Sequence, residues 1–205
     1  MLRTSFLVFF VLAACGDDSG SDMSSIDAPP GGNIDAPAGS IDAPTGGTFA
    51  VTSTAYADNG AIPAAQACAN KGGMNLSQQL AIANPPAGTM SFAIVLTDLT
   101  IQPNLVHCAI YDVPVTAGGT TTLPTDVDKV YAPPDVPGAH NTNNYGGTRG
   151  YAGPCPPNAH MYQFKVYALA TATLTGATMT TTKEQVVTIA ATNLGTATLT
   201  GIFTP

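Results

Sequence analysis

Apolar positions divide this chain into three stretches. An unbroken apolar run covers residues 6–12, apolar residues are then sparse from 16 to 46, and from Thr48 onward short runs of β-branched and aromatic residues recur between Gly and Pro. Runs of that kind predict strands over 49–54, 91–97, 106–113, 162–168 and 196–203. The segment 185–189 fits a strand or a helix. Good helix formers from Lys183, Val186, Val187 and Ala190 on one face, and Gly195 as a stop decide for a short helix over 183–194. Residues 61–69 form a second helical candidate. The region 116–144 is rich in Pro, Gly, Asp and Asn and reads mostly as loop. A connection of that length in a compact domain is usually functional or crosses a sheet edge.

The N-terminal run is roughly half the ~20 residues a bilayer requires, so it does not read as a spanning helix. Arg3 before it and Leu12-Ala13-Ala14-Cys15 after it identify residues 1–14 as a signal peptide. Small residues directly before a cysteine, with Gly16-Asp17-Asp18 after it, resemble the lipobox of bacterial lipoproteins, which implies that Cys15 is lipidated and that residues 1–14 are removed. The plainer alternative is an ordinary secretory signal with Cys15 incidental. Either places the protein outside the cytoplasm. A lipid on Cys15 makes it a lipid-anchored protein of the cell envelope, with the choice between inner and outer membrane left open.

Residues 15–47 are expected to form a tether. Ile-Asp-Ala-Pro occurs three times, at 26–29, 34–37 and 41–44, among Gly, Ser and Asn. Its prolines block helix and ladder bonding, its carboxylates repel, and it has too little apolar mass to offset the entropy of ordering. A calcium tract needs several oxygens converging through a fixed turn, which three isolated Asp residues do not provide. This leaves 48–205 as a single domain, long enough to bury a real core.

Only 9% of residues are charged, 44% are hydrophobic, there is no Trp, and Thr, Asn and Gly take the place of Lys and Glu. That is the composition of a β-rich extracytoplasmic domain. A net charge of −7 argues against nucleic acid and against electrostatic docking on anionic lipid. With Cys15 lipidated, Cys68, Cys108 and Cys155 remain, so at most one disulfide forms among them, and sequence does not say which. Their spacing fits no structural zinc site.

Gly150-Tyr151-Ala152-Gly153-Pro154-Cys155-Pro156-Pro157, followed by His160-Met161-Tyr162-Gln163-Phe164 and Val166-Tyr167-Ala168-Leu169, resembles the signature block of the phosphatidylethanolamine-binding protein family. Upstream, Phe92-Ala93-Ile94-Val95-Leu96-Thr97-Asp98 is similar to the strand delivering that family's first pocket Asp. His107-Cys108-Ala109-Ile110-Tyr111-Asp112-Val113-Pro114 is similar to its His-Trp-Val-Val-Tyr-Asn-Ile-Pro strand. Order and spacing match the bacterial, Raf-kinase-inhibitor-like branch, with the resemblance covering about 49–203. It implies an all-β fold of antiparallel β-sheets packed as a sandwich with a few short helices, and a small pocket for phosphate-like anions or phospholipid headgroups. Carried over residue by residue, that pocket uses Asp98, His107, Tyr151, Gly153, Cys155, Pro156, His160 and Tyr162. Thr100 replaces the second Asp of the usual Asp-Pro-Asp, Cys108 the usual aromatic, and Met161 the common Arg between the His and the Tyr.

The residues themselves fit an anion site. Gly and Pro around Cys155 fix a rigid loop that could turn backbone N–H groups toward an anion, and His and Tyr add donors without permanent charge. Asp98 serves best by accepting from a His ring nitrogen, fixing its tautomer and favouring imidazolium. Affinity for a phosphate monoester is then expected to rise as pH falls toward about 6, unless Arg149 supplies a fixed charge. Standing alone, His107 reads as a packed core residue and His160 as a solvated one. Other readings are a Ser77–His107–Asp98 triad, which lacks a nucleophile-elbow motif, a Cys155–His160 hydrolase, whose Cys is held between prolines, and a metal on Asp98, His107 and His160. The expectation is a binding protein without catalysis, cofactor or metal. The alternative from a different class is an inhibitor of a protease or other enzyme, acting through a protein partner at the loop 124–141.

Overall fold

The computed structural model of the chain describes residues 47–205; the apolar N-terminus, Cys15 and the Ile-Asp-Ala-Pro repeats lie outside the described residues. Among the described residues nine strands form two sheets. The small sheet joins β1 (Ala50–Thr52), β3 (Leu80–Ala83) and β6 (Thr121–Leu123) in the order β1-β3-β6. The large sheet runs β2-β9-β8-β4-β5-β7, from β2 (Gly60–Ala61), β4 (Ser91–Asp98), β5 (Leu105–Pro114), β7 (His140–Asn141), β8 (His160–Leu169) and β9 (Gly195–Phe203). Every pairing is antiparallel except β2 with β9, which is parallel, so the large sheet is mixed rather than purely antiparallel.

The position of β4 explains its sequence. It lies between β8 and β5 and is covered on both faces, which accounts for the continuous run Phe92-Ala93-Ile94-Val95-Leu96 in place of polar alternation. Phe92, Ile94 and Leu96 pack inward with Phe164, Val166 and Leu199 against Val51, Leu80, Ile82 and Leu123 of the small sheet. On the other face Ala93, Val95, Ala109 and Tyr111 pack under Val186 and Ala190 of the segment 183–190. Fully buried side chains such as Ile82, Val166 and Val186 each contribute roughly 1.5–3 kcal/mol of transfer free energy.

The five predicted strands are present, shifted by no more than two residues at most ends and trimmed most at β1. The helix α1 spans Lys183–Ile189, shorter than 183–194. Thr182 accepts from the Gln185 N–H while the Gln185 side chain accepts from the Thr182 N–H, a capping box that fixes its start. Asn193 Nδ2 donates to the carbonyls of Ala190 and Ala191 at 2.9 and 3.0 Å, which closes the last turn early. The expected helix over 61–69 is instead β2 and two 3-10 turns, Ala64–Gln66 and Ala69–Lys71. Tertiary bonds win there: Ile62 N–H donates to Ile202 O, and Cys68 N–H to Pro154 O. The loop 116–144 contains β6 and β7, and β3 went unpredicted because Leu-Ala-Ile-Ala is short and half alanine.

Candidate functional site

One end of the large sheet is open. Asp98, the last residue of β4, pairs with Tyr162 near the start of β8, so both side chains continue the inward row begun by Leu96 and Phe164. His160 lies two residues before Tyr162 on the same face. His107 arrives by a different device. Leu96 pairs with Cys108 and Thr97 with Val106, which leaves His107 as the extra residue of a β-bulge. Val106 and Ala109 pack with the outer cluster while Cys108 enters the inner core. Strict alternation would have put His107 outward, and the bulge turns it into the open end instead. These side chains, with Cys155 and Pro156 from the facing loop, line a cleft of ≈120 Å³.

Both histidines have one ring nitrogen fixed. His160 Nδ1 donates to Asp98 Oδ2 at 2.7 Å, with Asp98 1% exposed; Asp98 Oδ1 accepts the Thr100 N–H at 2.8 Å. His107 Nδ1 lies 2.9 Å from Ala152 O, and because a carbonyl only accepts, Nδ1 carries the proton. Burial pushes the His107 pKa down, and Lys183 lowers it further, against upward pulls from the Ala152 carbonyl, Asp98 and the Gly153 backbone. His107 is therefore neutral near pH 7, with a bare Nε2. Its ring packs against Tyr145 and, edge-on, Tyr162, at centroid distances of 4.4 and 5.2 Å. Burial, with the field of Asp98, holds the Tyr162 hydroxyl protonated. Among the described residues no Lys or Arg lines the cleft.

Residues 52–204 match the family model described as phosphatidylethanolamine-binding protein. The chain belongs to the phosphatidylethanolamine-binding protein family. A UPF0098 protein of Aquifex aeolicus is 33% identical over 128 residues, covering 60% of this chain and 70% of that one. LppC of Mycobacterium tuberculosis, a relative whose name carries the word lipoprotein, is 31% identical over 126 residues, 60% of this chain and 56% of its own. The crystal structure of Escherichia coli YbcL, described as a new member of the mammalian PEBP family, superposes with a TM-score of 0.68 at 27% identity, covering 78% of this chain and 99% of that one. The homologue CT736 of Chlamydia trachomatis shares the fold at a TM-score of 0.63 and 24% identity, covering 77% of this chain and 97% of its own. The mostly-β architecture is thus that of the family.

Six of the eight residues carried over from the family pattern line the cleft: Asp98, His107, Cys155, Pro156, His160 and Tyr162. Tyr151 and Gly153 stand behind it. The Tyr151 hydroxyl donates to Gln66 O at 3.0 Å, and the Gly153 N–H donates to Asn75 Oδ1 at 2.7 Å. Gly153 passes so close to the 3-10 turn that a Cβ would lie 1.8 Å from Gln66 O, which is why glycine stands here. Its N–H is thereby used inside the protein and is not offered to an anion. His160 is buried rather than solvated, because Asp98 draws it in.

Cys155 forms a disulfide with Cys68, Cα–Cα 5.4 Å, which leaves no thiolate there for a Cys155–His160 nucleophile. Cys108 stays free and buried, its thiol pKa pushed up to about 11 by desolvation. Ser77 Oγ accepts the Val127 N–H in the interior, away from the cleft. Among the described residues no three His, Cys, Asp or Glu side chains converge as a metal site. Arg149 turns away, donating to Asn141 O and Met179 O with its guanidinium 5.1 Å from the centre of the Tyr131 ring. Met161 points outward. Sequence reasoning missed Ile101, Leu105, Tyr145 and Pro157, which complete the rim. Tyr145 is carried by a turn that Asn144 builds, its Oδ1 accepting from Gly146 and Thr148 N–H; the signal was Asn144-Tyr145-Gly146-Gly147, an aromatic inside a tight turn.

Proposed function

We propose that this protein is a lipid-anchored envelope binding protein whose cleft takes a phosphate-like anion, free or as a headgroup, without catalysing a reaction on it. The observation that carries the reading is the His160–Asp98 pair at 2.7 Å at the end of the cleft, opposite His107. A buried carboxylate facing an anion directly would repel it. Interposing His160 occupies the carboxylate and turns the ring's Nε2 to the cleft, where a proton on it would be a donor to an anion. The Tyr145 hydroxyl, at the half-exposed rim, adds a neutral donor. Cys15 supplies the anchor, a reading supported by its lipobox and by the lipoprotein name of the relative LppC.

The inhibitor reading gains no separate support from the loop 124–141. Val127, Val136 and Ala139 of that loop belong to the inner core, and Asn141 Nδ2 ties it to the carbonyls of Asp128 and Val130. It is a built wall of the domain rather than a presented arm.

The test is calorimetric titration of phosphoethanolamine from about pH 5.5 to about 8.5, spanning histidine protonation. An anion that binds imidazolium raises that histidine's pKa, so affinity rises as pH falls through the bound value and is complete below the free one. His160→Ala and Asp98→Asn should each weaken binding by about tenfold or more, the worth of one charge-assisted hydrogen bond. Binding that is flat with pH, or unchanged in both variants, rejects the reading.

A further inference from the structure

The cleft is unusual for an anion site in where its protons are. His107 donates Nδ1–H to Ala152 O and His160 donates Nδ1–H to Asp98 Oδ2. Each ring therefore turns only Nε2 to the cleft, and among the described residues neither Nε2 has a hydrogen-bond partner. The Gly153 N–H is taken by Asn75 Oδ1, and Pro154, Pro156 and Pro157 have no N–H to give. His160 has the Asp98 carboxylate behind it, whereas His107 has only backbone, with its Nδ1–H on the Ala152 carbonyl.

The groups around His107 come from every wall: Asp98 on β4, His160 and Tyr162 on β8, Tyr145 from the turn after β7, Cys155 in its disulfide, and Lys183 at the start of α1 acting through its field. Burial is the largest influence and holds the ring neutral. The two histidines are thus unlike: His160 is fitted to donate to a ligand, and His107 is fitted to accept from one.

Resting on the anion reading above, we propose that the cleft selects a tetrahedral oxyanion that still carries a proton, a phosphate or phosphomonoester monoanion, over oxyanions that carry none, such as sulfate and phosphodiesters. The ligand's P–OH donates to His107 Nε2 and its anionic oxygens accept from His160 Nε2–H and the Tyr145 hydroxyl. A fully deprotonated oxyanion would press an oxygen lone pair against the lone pair of His107, leaving a buried acceptor unpaired. Selectivity then comes from the mismatch as much as from the match. A diacyl phospholipid headgroup is a phosphodiester without P–OH, so the favoured ligand is a soluble phosphate or a monoester.

The experiment is calorimetry on the full chain with inorganic phosphate, sulfate, phosphoethanolamine, glycerophosphoethanolamine and ethanolamine. Phosphate should bind more tightly than sulfate by about fivefold or more, and phosphoethanolamine than glycerophosphoethanolamine by a similar factor, the cost of an unmet buried acceptor. Above about pH 7 the phosphate affinity should fall more steeply than the sulfate affinity, by up to one further proton per pH unit, the proton of the ligand's second ionisation. His107→Phe keeps an aromatic ring but has no acceptor, and should bring the phosphate-to-sulfate ratio toward one. Equal affinities for phosphate and sulfate in the wild type overturn the inference and leave the anion site standing. Binding of ethanolamine alone, or of none of the five, overturns the anion reading and the inference with it.

Discussion

His107 is held neutral by burial, and that has a cost for the folded state in acid. The sign follows from its lowered pKa. The unfolded chain takes up the proton near the ordinary histidine value of about 6.5, before the folded protein does. The stability associated with a neutral His107 is present above that value and is lost as pH falls through it toward the folded one. Urea unfolding between about pH 7.5 and 5 should therefore show the wild type losing more stability than His107→Gln. Equal losses would place the ring in a more polar setting than the structure does. At this scale much of the site was legible before the fold was known, because Asp98, His107 and His160 sit in long motifs whose chemistry depends on residue type. Which nitrogen faces the ligand was not, since it depends on the carbonyl of Ala152, distant in sequence. Tyr151 and Gly153 share the motif yet serve the wall rather than the cleft.

Among the elements, the loop 151–157 matters most, because it has no ladder of its own and still forms one side of the cleft. Its position is set by the Cys68–Cys155 disulfide, by Cys68 N–H on Pro154 O, and by Asn75 bonded both to Tyr151 O and to the Gly153 N–H. Replacing both cysteines by Ala removes a link across 87 residues of sequence and should cost about 2–5 kcal/mol of stability. Phosphoethanolamine affinity should fall with it at temperatures where the variant remains folded. Unchanged affinity would mean that the hydrogen bonds alone hold the wall. The strands were readable where both faces are buried, as in β4, or where apolar and polar residues alternate, as in β9. The helix expected over 61–69 failed because local helix preference was outweighed by backbone bonds to β9 and to the 151–157 loop. The bulge at His107 is equally invisible from sequence, since it is defined by pairing with β4.

For the whole molecule, the proposed anchor is a lipid on Cys15, tested apart from the cleft. Metabolic labelling with a palmitate analogue should mark the wild type and spare Cys15→Ser; equal labelling of both would remove the anchor. The proposed anion site depends on His160 offering Nε2–H to the ligand. Nitrogen-15 NMR of the histidine rings reads that proton directly. On addition of phosphoethanolamine near pH 7.5, His160 should move toward the imidazolium form with Nε2 protonated, His107 should keep its proton on Nδ1, and Asp98→Asn should abolish the His160 change. A saturating titration that leaves the His160 ring nitrogens unchanged, while calorimetry shows the ligand bound, would contradict the account.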